Sequence, residues 1–160
     1  MAARQEVESR PISRPKLPAP PASSNHVHAV MVGNRGKDTR PEQEVRSLLH
    51  WMGLRFRKHM RPLDHLRCNA DIVFPRERVA VFVDGCFWHR CPQHGHVPAR
   101  NPGYWQEKLE RNSDRDRRNT KALREAGWLV LRYWEHEPME DVAKDIRVNV
   151  LSLRAHPSSQ

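Results

Sequence analysis

The chain has 160 residues, of which 38% are hydrophobic, and this suits one domain with a modest core. Its 28 lysines and arginines exceed its 19 acidic residues, so the net charge of +9 favours a polyanionic partner such as nucleic acid. Apolar runs are too short to span a bilayer, residues 1–24 lack the apolar segment of a secretory signal, and three cysteines do not make a disulfide framework. We therefore expect a cytoplasmic protein that binds no membrane and whose cysteines are free or on a metal.

The N-terminal region has the composition of a disordered segment. Residues 1–30 hold five prolines and several serines, and such a segment cannot bury a core. This basic arm could lie along phosphate backbones, or it could have no function. We expect the folded domain over residues 31–155 and a short disordered tail over residues 156–160.

The folded part alternates between helical and strand patterns. Thr39 and Glu42 have the spacing of a capping box, which predicts a first helix that Gly53 ends. Cys68 is expected to be an ordinary strand residue. Further along we expect a weak strand over 54–59, a hairpin of strands over 70–74 and 79–84, a long helix over 101–126, a strand over 128–134 and a terminal helix containing 142–153. This order predicts an α/β fold in which helices flank a mixed sheet.

A potential metal site lies after the hairpin, where Cys86, Cys91 and His94 have the spacing C-x4-C-x2-H. Thiolates and imidazoles at such spacing suit tetrahedral zinc, and a closed structural site has four ligands. We favour His136 as the fourth ligand because it follows a predicted strand that can return beside this loop, with His96 as the local alternative. The other interpretation is a pair of buried free cysteines with surface histidines. The irregular loop favours a structural zinc, which would staple the small domain.

Polar residues also occupy positions where apolar ones are expected. Asp71 lies within an apolar strand, where a carboxylate is costly unless it is paired or bound to a metal, although it could instead bond a nearby turn. Asn112 and Asp116 fall on the apolar stripe of the long helix, which is typical of residues that line a site. His89, held between two cysteines, could move a proton. Glu42 either completes the capping box or orients His89.

Basic and aromatic residues predict contacts with nucleic acid. The long helix carries Arg115 among several other arginines, and these would contact phosphates unless they only form a solvated face. Phe87 and Trp88 lie on the irregular loop and Trp105 at the start of the long helix. Apolar side chains of this kind can unstack base steps, and the alternative is a small aromatic core.

Several of these segments resemble the very short patch repair endonuclease family over about residues 31–137. The segments are Asp71-Ile72-Val73-Phe74, Val81-Phe82-Val83-Asp84-Gly85-Cys86-Phe87-Trp88-His89, Asn112-x-x-Arg115-Asp116, Gly127-Trp128 and Trp134-Glu135. The G-C-F-W-H segment is the most specific of them. The resemblance implies a restriction-endonuclease-like core, a structural zinc and a magnesium-dependent nick 5′ to the thymine of a T:G mismatch. Such mismatches arise when 5-methylcytosine deaminates.

The resemblance also implies roles for particular residues and partners. Asp71 and the carbonyl of Val83 resemble the magnesium ligands, and His89 resembles the catalytic histidine. Supporting acids would be Glu42 and Asp116. The residues that would contact DNA are Phe87, Trp88, Trp105, Asn112, Arg115 and, on the arm, Met31. The expected substrate is double-stranded DNA, bound by a monomer in the bacterial nucleoid, with functional links to a cytosine methyltransferase and mismatch repair proteins.

Three departures from the family pattern bear on these expectations. Val83 stands where one branch has threonine, and His136 stands where that branch has a cysteine ligand. The loop reads Cys91-Pro92-Gln93-His94, without the family's His-x-Cys arrangement. The second strand also lacks the Glu-x-Lys of ordinary restriction enzymes. Two other functions are compatible with the sequence, namely a restriction-type endonuclease on matched DNA and a zinc module that binds DNA without cutting it.

Overall fold

A computed structural model describes residues 37–156, which form one mixed sheet with helices on both faces. The expected arm and Met31 lie outside the described residues. The helices are α1 (Arg40–Trp51), α2 (Pro102–Glu125) and α3 (Met139–Ala155), and the strands are β1 (Arg57–Met60), β2 (Ala70–Phe74), β3 (Val79–Asp84) and β4 (Leu129–Trp134). The predicted α/β architecture is confirmed. No helix within residues 37–156 is both long and apolar enough to cross a bilayer.

The sheet has the strand order β1-β2-β3-β4. Its first three strands are antiparallel, and Ile72 is paired with Val81 across the β2–β3 hairpin. β4 is parallel to β3, with Val83 beside Tyr133. A parallel neighbour requires a long crossover, and α2 supplies it. As a result, β3 and β4 end at the edge where β2 begins.

The buried side chains form a cluster on each face of the sheet. Alternate residues of β3 face opposite ways, so Val79 and Val81 join α1 and α3, whereas Ala80 and Phe82 face α2. The α1–α3 cluster is the larger one and includes the fully buried Phe74. The smaller cluster lies beneath α2. Polar residues at the end of the sheet face that packs against α2 are therefore supported by buried apolar side chains.

Three local expectations differ from the structure. The first strand begins at Arg57 and not at residue 54 as expected. The residues before it form the connection that leaves α1 at Gly53, whose φ is +80°. Cys68 is buried but precedes β2 without strand hydrogen bonds, so its assignment to a strand was wrong. At the start of α1 the Thr39 hydroxyl donates to Glu42 Oε1 at 2.9 Å and caps no backbone N–H. Glu42 Oε2 accepts the N–H of Asp38 at 3.0 Å, so a carboxylate cap replaces the expected reciprocal box.

Candidate active site

The candidate active site lies where β2 begins and where β3 and β4 end. A groove of about 820 Å³ opens there between α2, the start of α1 and the loop that follows β3. Asp71, His89 and Asp116 all line this groove, although they come from a strand, a loop and a helix. Asn112 and Arg115 line it as well. The structure thus brings together the predicted catalytic residues.

His89 and Asp116 form a direct hydrogen bond. The His89 Nδ1 lies 2.6 Å from Asp116 Oδ2, and because a carboxylate only accepts, the ring donates from Nδ1. Burial acts to raise the pKa of Asp116, but the hydrogen bond and the charge of His89 hold that pKa below its usual value. The remaining ring nitrogen, Nε2, is then the one that can exchange a proton with a substrate. This is the geometry of an oriented general acid or base.

Asp71 occupies the point where the β2–β3 ladder stops. The last backbone pair toward this end is Ile72 with Val81, and beyond it Asp71 Oδ2 accepts the N–H of Val83 at 2.8 Å. Burial raises the pKa of Asp71 to about 6, and the nearby charges of Glu42 and Asp84 act in the same direction. Asp71 is therefore a buried carboxylate whose neighbouring acids make its ionisation still less favourable.

Glu42 lines the same groove and is 3% exposed. Its carboxylate accepts hydrogen bonds from the N–H of Asp38 and the hydroxyl of Thr39. The carboxylate that orients His89 is therefore that of Asp116 and not that of Glu42. The ligand atoms of Glu42, Asp38 and His59 lie within 4.8 Å of one another. However, Arg46 Nη2 lies 2.6 Å from Asp38 Oδ1, so this cluster is an ion-pair network around an arginine.

Sequence reasoning missed an ion pair beside these residues. Asp84 at the end of β3 accepts two hydrogen bonds from Arg132 of β4, each 2.7 Å long. Both residues occupy the face of the sheet toward α2, where neighbouring strand positions are apolar. A charged residue on the buried face of each of two parallel strands is the signal that could have found this pair.

The expected zinc ligands form one cluster. The ligand atoms of Cys86, Cys91, His94 and His136 all lie within 4.8 Å of one another. The Nδ1 of His136 lies 3.0 Å from the Sγ of Cys86 and 3.8 Å from that of Cys91, and the Nδ1 of His94 lies 3.9 and 3.8 Å from the same atoms. Ligands of a tetrahedral zinc with these atoms stand about 3.6 Å apart. His96 is outside the cluster, and its ring lies 5.7 Å from that of Phe87.

The aromatic residues form a single packed group at the rim of the groove. The ring centroids of Phe87 and Trp88 lie 4.9 Å apart, and those of Phe87 and Trp105 5.5 Å apart. Trp105 is 7% exposed, so it supports the other two from below, which matches the alternative of a small aromatic core for this residue. Phe87 and Trp88 are half-buried and border the groove. Lys108 places its ammonium group 5.2 Å from the Trp88 ring.

A carboxylate–histidine pair in an open groove is a candidate acid–base site, and the basic charge of the domain favours a nucleic-acid substrate. Residues 23–94 match the model of the family described as DNA mismatch endonuclease Vsr. Together with the relatives below, this match shows that the chain belongs to the Vsr family of endonucleases.

Curated relatives match a longer part of the chain than the family model does. The chain is 50% identical over 113 residues to the type II nicking enzyme V.NaeI of Lentzea aerocolonigenes, which covers 69% of this chain and 68% of the relative. It is 44% identical over 120 residues to the type II nicking enzyme V.XorIIP of Xanthomonas oryzae pv. oryzae, covering 73% and 85%. It is 39% identical over 104 residues to the DNA mismatch endonuclease Vsr of Escherichia coli, covering 62% of each chain.

Proposed function

We propose that this endonuclease nicks one DNA strand 5′ to the thymine of a T:G mismatch in a magnesium-dependent reaction. The observation that carries the proposal is the oriented His89–Asp116 pair, which shares one groove with Asp71 and the half-buried aromatic rings. The names of the relatives, which are nicking enzymes and a mismatch endonuclease, support both the single-strand cut and the mismatch substrate. Deaminated 5-methylcytosine would be the source of such a mismatch.

The residues around Asp71 fit a magnesium ion. Magnesium prefers oxygen ligands, and Asp71 offers a carboxylate whose raised pKa reflects burial among other acids. The N–H of Val83 points to Asp71, and because the N–H and C=O of a strand residue share one side, the Val83 carbonyl is our second proposed ligand. Glu42 and Asp116 add negative charge as supporting acids. When bound, magnesium would supply electrostatic stabilisation to the phosphate undergoing cleavage.

His89 is the residue that we propose to handle the proton. Asp116 accepts the Nδ1 proton and fixes the tautomer, so Nε2 is available to take a proton from water or to give one to the leaving oxygen. Its loop is held at the end of β3, where the His89 N–H donates to the carbonyl of Gly85 at 3.1 Å. The ring is therefore positioned by both its side-chain and its backbone hydrogen bonds.

We further propose that Cys86, Cys91, His94 and His136 hold a structural zinc. Burial, then the neighbouring Cys91 thiol, raises the pKa of Cys86 to about 11, so the metal-free pair keeps a proton that zinc would displace. The carboxylate of Glu135 accepts the N–H of Cys86 at 2.6 Å and ties the loop to the end of β4. The cluster would thus fix the segment that carries His89.

Recognition of the mismatch is assigned to the aromatic rim and the basic helix. A wobble pair costs less to unstack than a matched pair, so Phe87 and Trp88 would enter the stack most easily at T:G. Arg115 and Asn112 on α2 border the groove and would contact the strand beside the cut, and Trp105 would support the inserted rings. We propose that the protein acts as a monomer in the bacterial cytoplasm, functionally linked to a cytosine methyltransferase and to mismatch repair proteins.

The direct test is a nicking assay on two duplexes that differ only in one T:G pair, with magnesium or with calcium in its place. We expect one magnesium-dependent nick, confined to the strand with the mismatched thymine and absent in Asp71→Ala. Equal cutting of the matched duplex would place the protein among restriction-type enzymes. Zinc-dependent binding without any cutting would instead leave a DNA-binding module.

A further inference from the structure

A buried ion pair joins two strands directly beside the His89–Asp116 pair. Arg132 donates from Nε to Asp84 Oδ2 and from Nη2 to Asp84 Oδ1, each at 2.7 Å. The side chains of Arg132 and Asp84 are only 23% and 9% exposed. A planar guanidinium that is bound at two points has one defined orientation, unlike a lysine ammonium group.

The same guanidinium is held on its other sides as well. Its Nη1 donates to the hydroxyl of Thr120 on α2 at 3.1 Å, and its central carbon lies 4.9 Å from the centre of the Phe82 ring. Arg132 thus connects β3, β4 and α2. These include the strand that leads into His89 and the helix that carries Asp116.

Both partners of the ion pair approach the catalytic pair. Asp84 Oδ1 lies 3.6 Å from His89 Nδ1, and Arg132 Nη2 lies 3.7 Å from Asp116 Oδ2. Two carboxylates therefore flank one imidazole proton, but only Asp116 is within hydrogen-bond distance, at 2.6 Å. Arg132 engages both oxygens of Asp84, which leaves Asp116 as the acceptor.

We propose that the Asp84–Arg132 pair is a positioning element that sets the orientation of His89 and Asp116 for DNA cleavage. Buried ion pairs contribute little net stability and can often be replaced by apolar residues, so stability alone does not explain one at this point. Neither residue needs to contact DNA in this role. The inference rests on the endonuclease reaction proposed above.

The test compares four variants of the full chain with wild type. They are Arg132→Met, Arg132→Lys, the double variant Asp84→Leu/Arg132→Met, and the control Arg154→Met. The control breaks a 2.6 Å ion pair with Glu77 that lies away from the groove. The measurements are the single-turnover nicking rate at saturating T:G duplex, the Kd for that duplex, and the resonance of the His89 Nδ1 proton, identified by its loss in His89→Gln.

We expect Arg132→Met to lower the nicking rate about 100-fold, the scale on which a displacement of about 1 Å of a catalytic group acts, with Kd changed less than about threefold. Arg132→Lys keeps the positive charge but cannot donate two parallel hydrogen bonds to Asp84, so it should retain part of the nicking rate that Arg132→Met loses. The double variant should fold but still cut at least about tenfold more slowly than wild type. It lacks the hydrogen bonds by which Arg132 connects β4 to Asp84 on β3 and to Thr120 on α2. Arg154→Met should cut at the wild-type rate.

Three results would overturn the inference. Wild-type cutting by the double variant would show that the pair is only structural, and this variant stays informative if Arg132→Met does not fold. A weakened Kd with an unchanged rate would make Arg132 a DNA contact. An unchanged His89 resonance in Arg132→Met would show that the ring keeps its orientation. If wild type nicks no T:G duplex while that resonance still shifts in Arg132→Met, the proposed function fails and the positioning inference is supported.

Discussion

Asp71→Asn tests whether the charged carboxylate proposed to hold magnesium lowers the free energy of unfolding of the metal-free protein. Burial raises the pKa of Asp71 from 3.8 to about 6 in the metal-free protein, so its ionisation opposes folding. A difference of about two pKa units corresponds to about 3 kcal/mol at a pH above both values. Asparagine has nearly the same shape, and its carbonyl can still accept the N–H of Val83. Allowing for partial exposure of the side chain, we expect the variant to unfold with a free energy about 1–3 kcal/mol larger at about pH 8.

The sign of this effect depends on pH. At a pH below 3.8, which is the pKa of Asp71 in the unfolded chain, this carboxyl is protonated in both the folded and the unfolded protein. The variant and wild type should therefore be equally stable there. The wild type loses stability as pH rises from there through about 6, and the gap between the two proteins opens over the same interval. The variant should also lose nicking activity. Stability and activity would then move in opposite directions, as occurs at sites built for function.

The assay is denaturant unfolding of both proteins in magnesium-free buffer near pH 4 and pH 8, without a chelator that would remove zinc. The exposed Asp64→Asn is the matched control and should show no gap at either pH. Equal stability of wild type and Asp71→Asn near pH 8 would refute the reasoning. A less stable variant would show that the hydrogen bond from Val83 N–H outweighs the cost of burial.

Three further outcomes follow from the site. We expect elemental analysis to find one zinc per chain in wild type and in His96→Ala but none in His136→Ala, which should also melt at a lower temperature. Asp116→Asn should lower the single-turnover rate about 10²- to 10⁴-fold by releasing His89 from its tautomer, without changing the Kd for DNA. Trp88→Ala should weaken binding to a T:G duplex about 10- to 100-fold in a fluorescence anisotropy titration, and should affect the matched duplex less.

Each of these three predictions would be contradicted by a specific result. Retention of zinc by His136→Ala would remove that residue from the ligand set and reopen the choice of the fourth ligand. A wild-type rate in Asp116→Asn would mean that His89 needs no carboxylate partner. Equal weakening of T:G and matched duplexes by Trp88→Ala would make that ring a general DNA contact and leave mismatch recognition to other residues.

Features that depend on neighbours along the chain could be predicted from the sequence. Periodicity and the turn residues gave the helices and the β2–β3 hairpin, because propensity and hydrophobic pattern act over a few residues. The short spacing of Cys86, Cys91 and His94 predicted a shared site for the same reason. The position of Asp71 within an apolar strand marked it as exceptional, since a buried carboxylate needs compensation wherever the strand packs.

Tertiary structure decided which distant residues meet. His89 and Asp116 are 27 positions apart, Asp84 and Arg132 are 48 apart, and both pairs form only because α2 crosses over the sheet and returns β4 parallel to β3. The same crossover brings His136 to the thiol of Cys86, 50 positions away, while the nearby His96 packs elsewhere. Local spacing along the chain carries no information about such contacts, because the packing of the whole sheet against its helices sets them.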